Sequence, residues 1–187
     1  KEWSATNTDI YGFIYPLITH NLNYSNAVVL GSGGASKSVI QGLIDLKVSK
    51  ITAISRNKSS LFALTNNFVS QKTIKSFLSH ETEVKKVIKE ADLIINTTPV
   101  GMKNTKNEDQ LPFGQEFCNE IQNNTTVYDL IYNPAPTAFL KFCDKKGCMT
   151  IDGLQMLIAQ GAKSLSFWTN GLEVPFEVMH EAIKTYL

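Results

Sequence analysis

Short aliphatic runs alternate along this chain with longer segments of helical periodicity. The run AVVLG at residues 27–31 is continuously apolar, as in a strand buried on both faces of a parallel sheet, and ITAIS at residues 51–55 predicts a second strand. Between and after them, apolar residues spaced by three and four predict helices over about 35–47 and 59–67. This part of the chain therefore predicts a βαβ unit.

The same alternation continues to the end of the chain. The pattern predicts further strands near residues 73–78, 92–97, 126–131 and 148–151, and helices near 10–21, 81–91, 154–168 and 175–186. The polar segment KNTKNEDQ at 103–110 has no periodicity and predicts a solvated loop. Alternating strands and helices indicate an α/β fold, with a Rossmann-like doubly wound parallel sheet and flanking helices.

Composition narrows the class of protein. With 187 residues, 43% of them hydrophobic, the chain is long enough to bury a core, and its net charge of +1 leaves no basic surface for nucleic acid. No apolar run is long enough for a membrane span. The three cysteines show no CxxC spacing, so we expect neither disulfides nor a metal site, and a cytoplasmic location. Since no methionine precedes Lys1, residue 1 is interpreted as a truncation point.

A glycine-rich segment, GSGGAS at Gly31 to Ser36, follows the first strand and opens the first long helix. In a dinucleotide fingerprint, Gly31 permits the tight turn, Gly33 lets the backbone approach a pyrophosphate, and the small Ser36 lets helix pack on strand. The alternative is an ordinary glycine turn. The strand before it and the helix after it favour dinucleotide binding.

The residues after the second strand indicate which dinucleotide binds. NAD enzymes usually place a carboxylate there for the ribose 2′-hydroxyl, whereas this chain has Ser55, Arg56, Asn57 and Lys58. Arg56 is the single arginine of a chain with 17 lysines. Unlike a lysine, its planar guanidinium can form two hydrogen bonds with one phosphate group. The pattern favours NADP over a surface arginine placed by chance.

A third motif, NTTPVGM at residues 96–102, ends the strand that begins at residue 92. It should border the crevice at the carboxyl edge of the sheet, where ligands of such folds bind. The residue types alone assign it no chemistry.

These motifs together carry a resemblance to a known family. With NTD at 7–9, YDLIYNPAPT at 128–137 and DGLQMLIAQGA at 152–162, they occur in the order and spacing of the shikimate dehydrogenase family. The chain resembles that family over essentially its whole length. The resemblance implies NADP as cofactor and shikimate as substrate, which is oxidised reversibly to 3-dehydroshikimate in aromatic amino acid biosynthesis.

The resemblance also implies roles for individual residues. It places the cofactor on Gly31, Ser32, Gly33, Gly34, Ala35, Ser55, Arg56, Asn57, Lys58, Thr97, Leu130 and Gly153. Asp9 would be the active-site aspartate, paired with a catalytic lysine, while Tyr132 and Gln160 would hydrogen-bond the substrate. Taken alone, Thr8 or Asp9 could simply cap a helix, Tyr132 could be a half-buried aromatic, and Gln160 a polar residue on an amphipathic helix.

The chain departs from the family pattern in two motifs. Ile10 stands where the family's NTDG has glycine, and SRN replaces the usual NRT while keeping the arginine. The resemblance also assigns the catalytic lysine, and the serines and threonine that bind the substrate carboxylate, to an N-terminal domain absent from these residues. We therefore expect this chain to bind cofactor but to turn over little.

The resemblance divides the chain into three parts. Residues 1–24 would be an interdomain helical segment, 25–152 the NADP-binding domain, and 153–187 helices at the domain interface. The last part carries an apolar stripe of Leu154, Leu157, Ile158, Leu165 and Trp168. Without an N-terminal domain part of this stripe would be exposed, so we expect self-association, with a monomer as the alternative. Two other functions stay open, a quinate/shikimate dehydrogenase paralogue and a non-catalytic NADP-binding module.

Overall fold

The computed structural model, which describes residues 6–71 and 73–184, shows one six-stranded sheet in which all paired strands are parallel. The strands are β1 Asn26–Leu30, β2 Lys50–Ser55, β3 Ile74–Leu78, β4 Leu93–Asn96, β5 Thr126–Asp129 and β6 Met149–Ile151. Their spatial order, β3-β2-β1-β4-β5-β6, is the doubly wound order of a Rossmann fold. The predicted fold class is confirmed.

Helices connect the strands and flank the sheet. They are α1 Asp9–Thr19, α2 Gly34–Asp45, α3 Lys58–Asn66, α4 Glu83–Lys89, α5 Gln115–Asn119, α6 Ala138–Lys145, α7 Leu154–Trp168 and α8 Phe176–Lys184. The sequence pattern missed two helices, α5 and α6. Helix α5 is little more than a single turn. Helix α6 follows two prolines, and its N-terminus is capped by Thr137, whose Oγ1 accepts from the Leu140 N–H. The expected truncation at residue 1 and the expected end of the last helix at residue 186 lie outside the described residues.

Successive strand residues point to opposite faces of the sheet, so the central strands β1, β2, β4 and β5 contribute to two cores. In β1, Val29 joins a core with Phe13, whose ring stacks on Tyr128 at a centroid distance of 5.5 Å. Val28 and Leu30 join the other core, against α4 and α6. Burial on both faces explains why β1 and β4 are almost wholly aliphatic.

The first described helix packs directly on one of the two cores. Gly12 in α1 lets the backbone approach α7, since a Cβ there would lie 2.6 Å from the Met156 carbonyl oxygen. Gly42 in α2 similarly makes room for the Phe13 ring. The helix predicted near residues 10–21 is thus present as α1, while the interdomain role and the boundary of residues 1–24 remain predictions.

The apolar stripe on α7 is only partly covered. Ile158 is 1% exposed, whereas Trp168 at the end of the helix is 78% exposed. The stack of Tyr15 on Phe176, with centroids 4.7 Å apart, holds α8 against α1. Self-association through this surface stays a prediction. Among the described residues, no helix is both long and apolar enough to cross a membrane.

Replacing Gly12 by alanine is expected to destabilise the fold, because the new Cβ would meet the Met156 carbonyl oxygen at 2.6 Å and the Gln160 Cβ at 2.8 Å. Overpacking of this kind costs about 1–3 kcal/mol of unfolding free energy. Gly161→Ala in α7 is the control, since its nearest neighbour is the flexible Met179 methyl at 3.3 Å. Urea unfolding measures both, and equal stabilities would contradict a tight α1–α7 contact.

Candidate functional site

The glycine loop begins at a turn that only glycine makes comfortably. Gly31 has a φ of +116°, and its N–H donates to the Ile54 carbonyl oxygen at 2.8 Å. A Cβ at this position would lie 2.6 Å from Oγ1 of Thr97, which follows β4. The predicted tight turn is therefore present, and it holds the glycine loop against the end of β4.

The start of α2 faces open space. Among residues 6–71 and 73–184, a Cβ added at Gly33 or Gly34 would meet nothing within 4 Å, and Gly33 is the residue that precedes the first helical turn. Free amide groups at a helix N-terminus attract anions through hydrogen bonds and the helix dipole. This geometry gives a phosphate-sized ligand access to the backbone, as the fingerprint predicts.

The side chains of Ser55 and Asn57 shape the turn after β2. Ser32 Oγ lies 2.8 Å from Ser55 Oγ and 2.6 Å from Ser60 Oγ, which ties the glycine loop to this turn. The Asn57 side chain accepts from the Ser60 N–H at 3.0 Å and so caps α3. Sequence reasoning gave Ser32, Ser55 and Asn57 a place at the cofactor, and their side chains are already engaged in holding the turn.

Arg56 and Lys58 are exposed on the same turn, and within the described ranges no carboxylate lies in ion-pair distance of either. Arg56 lines a groove of about 990 Å³, here called the Arg56 groove, whose other walls include residues 79–82 and 113–117. Two unpaired cations beside the glycine loop favour a second anionic group on the ligand.

A second cavity, of about 430 Å³, opens at the carboxyl ends of β4 and β5 and is here called the Tyr132 pocket. Its lining residues are Ala35, Thr97, Thr98, Pro99, Met102, Lys103, Asn104, Leu130, Ile131, Tyr132 and Asn133. Thr97 donates to the Leu30 carbonyl oxygen at 2.7 Å, so Ser36, 2.7 Å away, is the donor to the Thr97 hydroxyl. The structure thus brings four predicted site residues into one pocket, namely Ala35, Thr97, Leu130 and Tyr132.

Gly153 lies behind this pocket and is buried. A Cβ there would overlap the Leu130 carbonyl oxygen, and the Gly153 N–H donates to the Ile131 carbonyl oxygen at 3.1 Å. Glycine at 153 is therefore required by the close approach of α7 to the pocket wall. Its predicted contact with a cofactor remains a prediction.

The start of α1 meets α7 at a polar contact. The Thr8 hydroxyl donates to Oε1 of Gln160 at 3.4 Å, and Thr8 Oγ1 also lies 2.9 Å from Ser164 Oγ. Asp9 is half-buried in the first turn of α1, directly after Thr8. The contact with Gln160 is thus made by Thr8, and neither Asp9 nor Gln160 is among the residues that line the Tyr132 pocket.

The expectation that Thr8 or Asp9 caps α1 is wrong. Thr8 makes no side-chain cap bond, and the Asp9 N–H instead donates to Oδ1 of Asn7 at 2.8 Å. The Asn7 amide nitrogen donates in turn to Ser38 on α2 at 3.0 Å. The Asn7 side chain reaches forward to the first helical N–H and so provides the cap, which leaves the Asp9 carboxylate without a capping role.

Comparison with known proteins decides the family. The sequence profile described as Shikimate / quinate 5-dehydrogenase matches residues 16–109, and the profile of the Shikimate 5'-dehydrogenase C-terminal domain matches residues 153–184. The chain belongs to the shikimate/quinate dehydrogenase family.

A curated relative from Prochlorococcus marinus subsp. pastoris, named shikimate dehydrogenase (NADP(+)), is 68% identical over the whole chain, which spans 66% of that relative's length. Among solved structures, quinate dehydrogenase from Corynebacterium glutamicum in complex with NAD matches with TM-score 0.83 and 27% identity, covering 96% of this chain and 62% of that one. A shikimate dehydrogenase in complex with NADP+ matches with TM-score 0.81 and 32% identity, covering 96% and 61%.

In this family member, a buried polar network that sequence reasoning missed joins the ends of β4 and β5. Asn96, Asp129 and Thr137 are each 0% exposed. Asp129 accepts hydrogen bonds from Asn96 Nδ2 at 2.9 Å, from the Ile131 N–H at 3.2 Å and from Thr137 Oγ1 at 2.7 Å. The available signal was a polar residue at the end of each of two otherwise apolar strands.

Burial raises the pKa of the Asp129 carboxyl from 3.8 to about 6, against the hydrogen bonds from Thr137, Ile131 and Asn96, which lower it. Because the pKa is higher in the folded than in the unfolded chain, protonation of Asp129 favours folding. This contribution is fully present below the unfolded pKa of 3.8 and is lost as pH rises through about 6.

Wild-type protein should therefore gain stability relative to Asp129→Asn on acidification, because the amide does not titrate. Between about pH 7.5 and about pH 4.5 we expect the difference in unfolding free energy to shift by about 2 kcal/mol in favour of the wild type. Urea unfolding of both proteins across this range measures it. A difference that stays constant, or that shifts the other way, would show that the Asp129 pKa is not raised.

Proposed function

We propose that this chain is the NADP-binding part of a shikimate dehydrogenase, which oxidises shikimate to 3-dehydroshikimate reversibly. The observation that carries the proposal is the exposed Arg56, which has no ion-pair partner in the described part of the chain, beside a glycine loop whose helix N-terminus is open. The name of the Prochlorococcus relative and the NADP+ complex of a solved neighbour support the same cofactor. The three free, buried cysteines suit a reducing, cytoplasmic location, which is part of this proposal.

The cofactor would extend across the carboxyl edge of the sheet. Its pyrophosphate would lie on the amides of Gly33 and Gly34, where added Cβ atoms meet nothing within 4 Å. Its 2′-phosphate would meet Arg56 and Lys58 at the Arg56 groove. The nicotinamide half would enter the Tyr132 pocket, against Thr97 and Leu130.

The substrate would lie between the Tyr132 pocket and the α1–α7 contact. Tyr132, 41% exposed, and Gln160 offer hydrogen-bonding groups to a polyhydroxy acid. Bound NADP supplies the hydride acceptor. The hydroxyl proton of the same carbon would pass to a lysine held by Asp9, so that an alcohol becomes a ketone.

Quinate is a second candidate substrate, because one solved neighbour is a quinate dehydrogenase. Quinate and shikimate are related cyclohexane acids, and the lining of the Tyr132 pocket does not by itself separate them. Steady-state assays of the whole enzyme with both acids would decide, by the ratio of their kcat/KM values.

The chain is expected to bind NADPH more tightly than NADH, because Arg56 and Lys58 would make charge-assisted contacts with the 2′-phosphate. Arg56→Ala should weaken NADPH binding about tenfold and leave NADH nearly unchanged. Lys141→Ala, which removes an exposed cation from α6, is the matched control. Fluorescence titration of both cofactors measures the effect, and equal weakening of the two would refute the NADP assignment.

Residues 1–187 alone are expected to show no measurable shikimate oxidation, because the family's catalytic lysine and carboxylate-binding residues have no counterparts among them. A chimera with the N-terminal part of the Prochlorococcus relative should oxidise shikimate. In that chimera Asp9→Asn should abolish activity, while Asp45→Asn, at an exposed position on α2, should not. Robust turnover by residues 1–187 alone would overturn the assignment of roles.

A further inference from the structure

One buried carboxylate connects both walls of the Tyr132 pocket. Asp129 Oδ1 accepts from Asn96 Nδ2 at 2.9 Å and from the Ile131 N–H at 3.2 Å, while Oδ2 accepts from Thr137 Oγ1 at 2.7 Å. The Ile131 contact fixes the backbone between Leu130 and Tyr132. One side of the pocket is thus held directly by Asp129.

The Asn96 contact extends the network to the other wall. Asn96 Oδ1 accepts from the Thr98 N–H at 3.0 Å and from the Thr98 hydroxyl at 2.7 Å. Its amide nitrogen also donates to the Val100 carbonyl oxygen at 3.3 Å. Because the Asn96 side-chain amide donates to Asp129 through its nitrogen, its oxygen faces Thr98. The orientation of Asn96 and the position of Thr98 therefore depend on the Asp129 carboxylate.

The core itself does not require these polar groups. Apolar residues at the ends of β4 and β5 would pack without the cost of burying a carboxylate, and that cost is substantial unless every lone pair is satisfied. Two of the three bonds that Asp129 accepts lead to residues of the pocket wall or to the loop that carries them. The third, from Thr137, joins the network to the start of α6, where Thr137 also accepts from the Leu140 N–H at 3.2 Å.

We propose that Asp129 is a positioning residue for the nicotinamide half of the cofactor, acting through Asn96 and Ile131 on the two walls of the Tyr132 pocket. This inference rests on the proposed NADP binding. A positioning role predicts different effects on the two halves of the cofactor, whereas a purely structural role does not. Losing the network should disturb the nicotinamide half, whereas the glycine loop, Arg56 and Lys58 should hold the adenosine half as before.

The test compares two ligands, NADPH and adenosine 2′,5′-bisphosphate, which carries the 2′-phosphate but no nicotinamide. Asp129→Asn should weaken NADPH about tenfold and change bisphosphate binding less than about twofold, since one buried hydrogen bond is lost at the pocket alone. Thr137→Val removes the hydroxyl that donates to Asp129 and should act in the same direction. Thr137→Ser restores the hydroxyl and should return NADPH affinity towards that of the wild type.

Thr125→Val is the matched control. Thr125 is also 0% exposed and donates to the Ala91 carbonyl oxygen at 3.0 Å, but it precedes β5, at the opposite end of the strand from Asp129. It should lower stability without changing the ratio of the two affinities. If Asp129→Asn does not fold, the Thr137 pair alone decides.

Equal weakening of both ligands, no change in either, or the same selectivity in Thr125→Val would overturn the positioning role. If the wild-type chain binds neither ligand, that result would instead overturn the proposed function, and this inference with it. Selective loss of NADPH affinity in Asp129→Asn and Thr137→Val, with rescue in Thr137→Ser, is the expected result.

Discussion

The close approach of the glycine loop to the end of β4 is the constraint on which the site depends. The Thr97 hydroxyl lies where a side chain at position 31 would be, and its bonds to Leu30 and Ser36 join β1, α2 and β4 at one point. Any residue larger than glycine at 31 would separate these elements. The open amides of α2 and the Tyr132 pocket are adjacent because this contact holds them together.

The parallel sheet gives the site its remaining parts. Parallel strands bring their carboxyl ends to one edge, so Ser55, Asn96 and Asp129, which end β2, β4 and β5, lie along the same side of the fold. Each is at most 6% exposed, and its side chain hydrogen-bonds to the loop that follows it. Arg56, Thr97 and Tyr132, which line the groove or the pocket, follow these residues by one to three positions.

Local patterns in the sequence were enough to predict the fold class, whereas the cofactor end of the site remains a prediction. β1 and β4 are almost wholly aliphatic, and Gly31 and Arg56 directly follow β1 and β2. The pairing of Asn96 with Asp129 was not predictable, because it joins residues 33 positions apart that only the sheet brings together. The exposure of Trp168 depends likewise on which helices cover α7, and the α1 cap depends on the rotamer of Asn7.

A crystal structure of this chain with NADP+ would test the central claim most directly. The account predicts the pyrophosphate on the amides of Gly33 and Gly34, the 2′-phosphate within hydrogen-bonding distance of the Arg56 guanidinium, and the nicotinamide in the Tyr132 pocket. A cofactor bound elsewhere, or one whose 2′-phosphate points away from Arg56 into solvent, would contradict it.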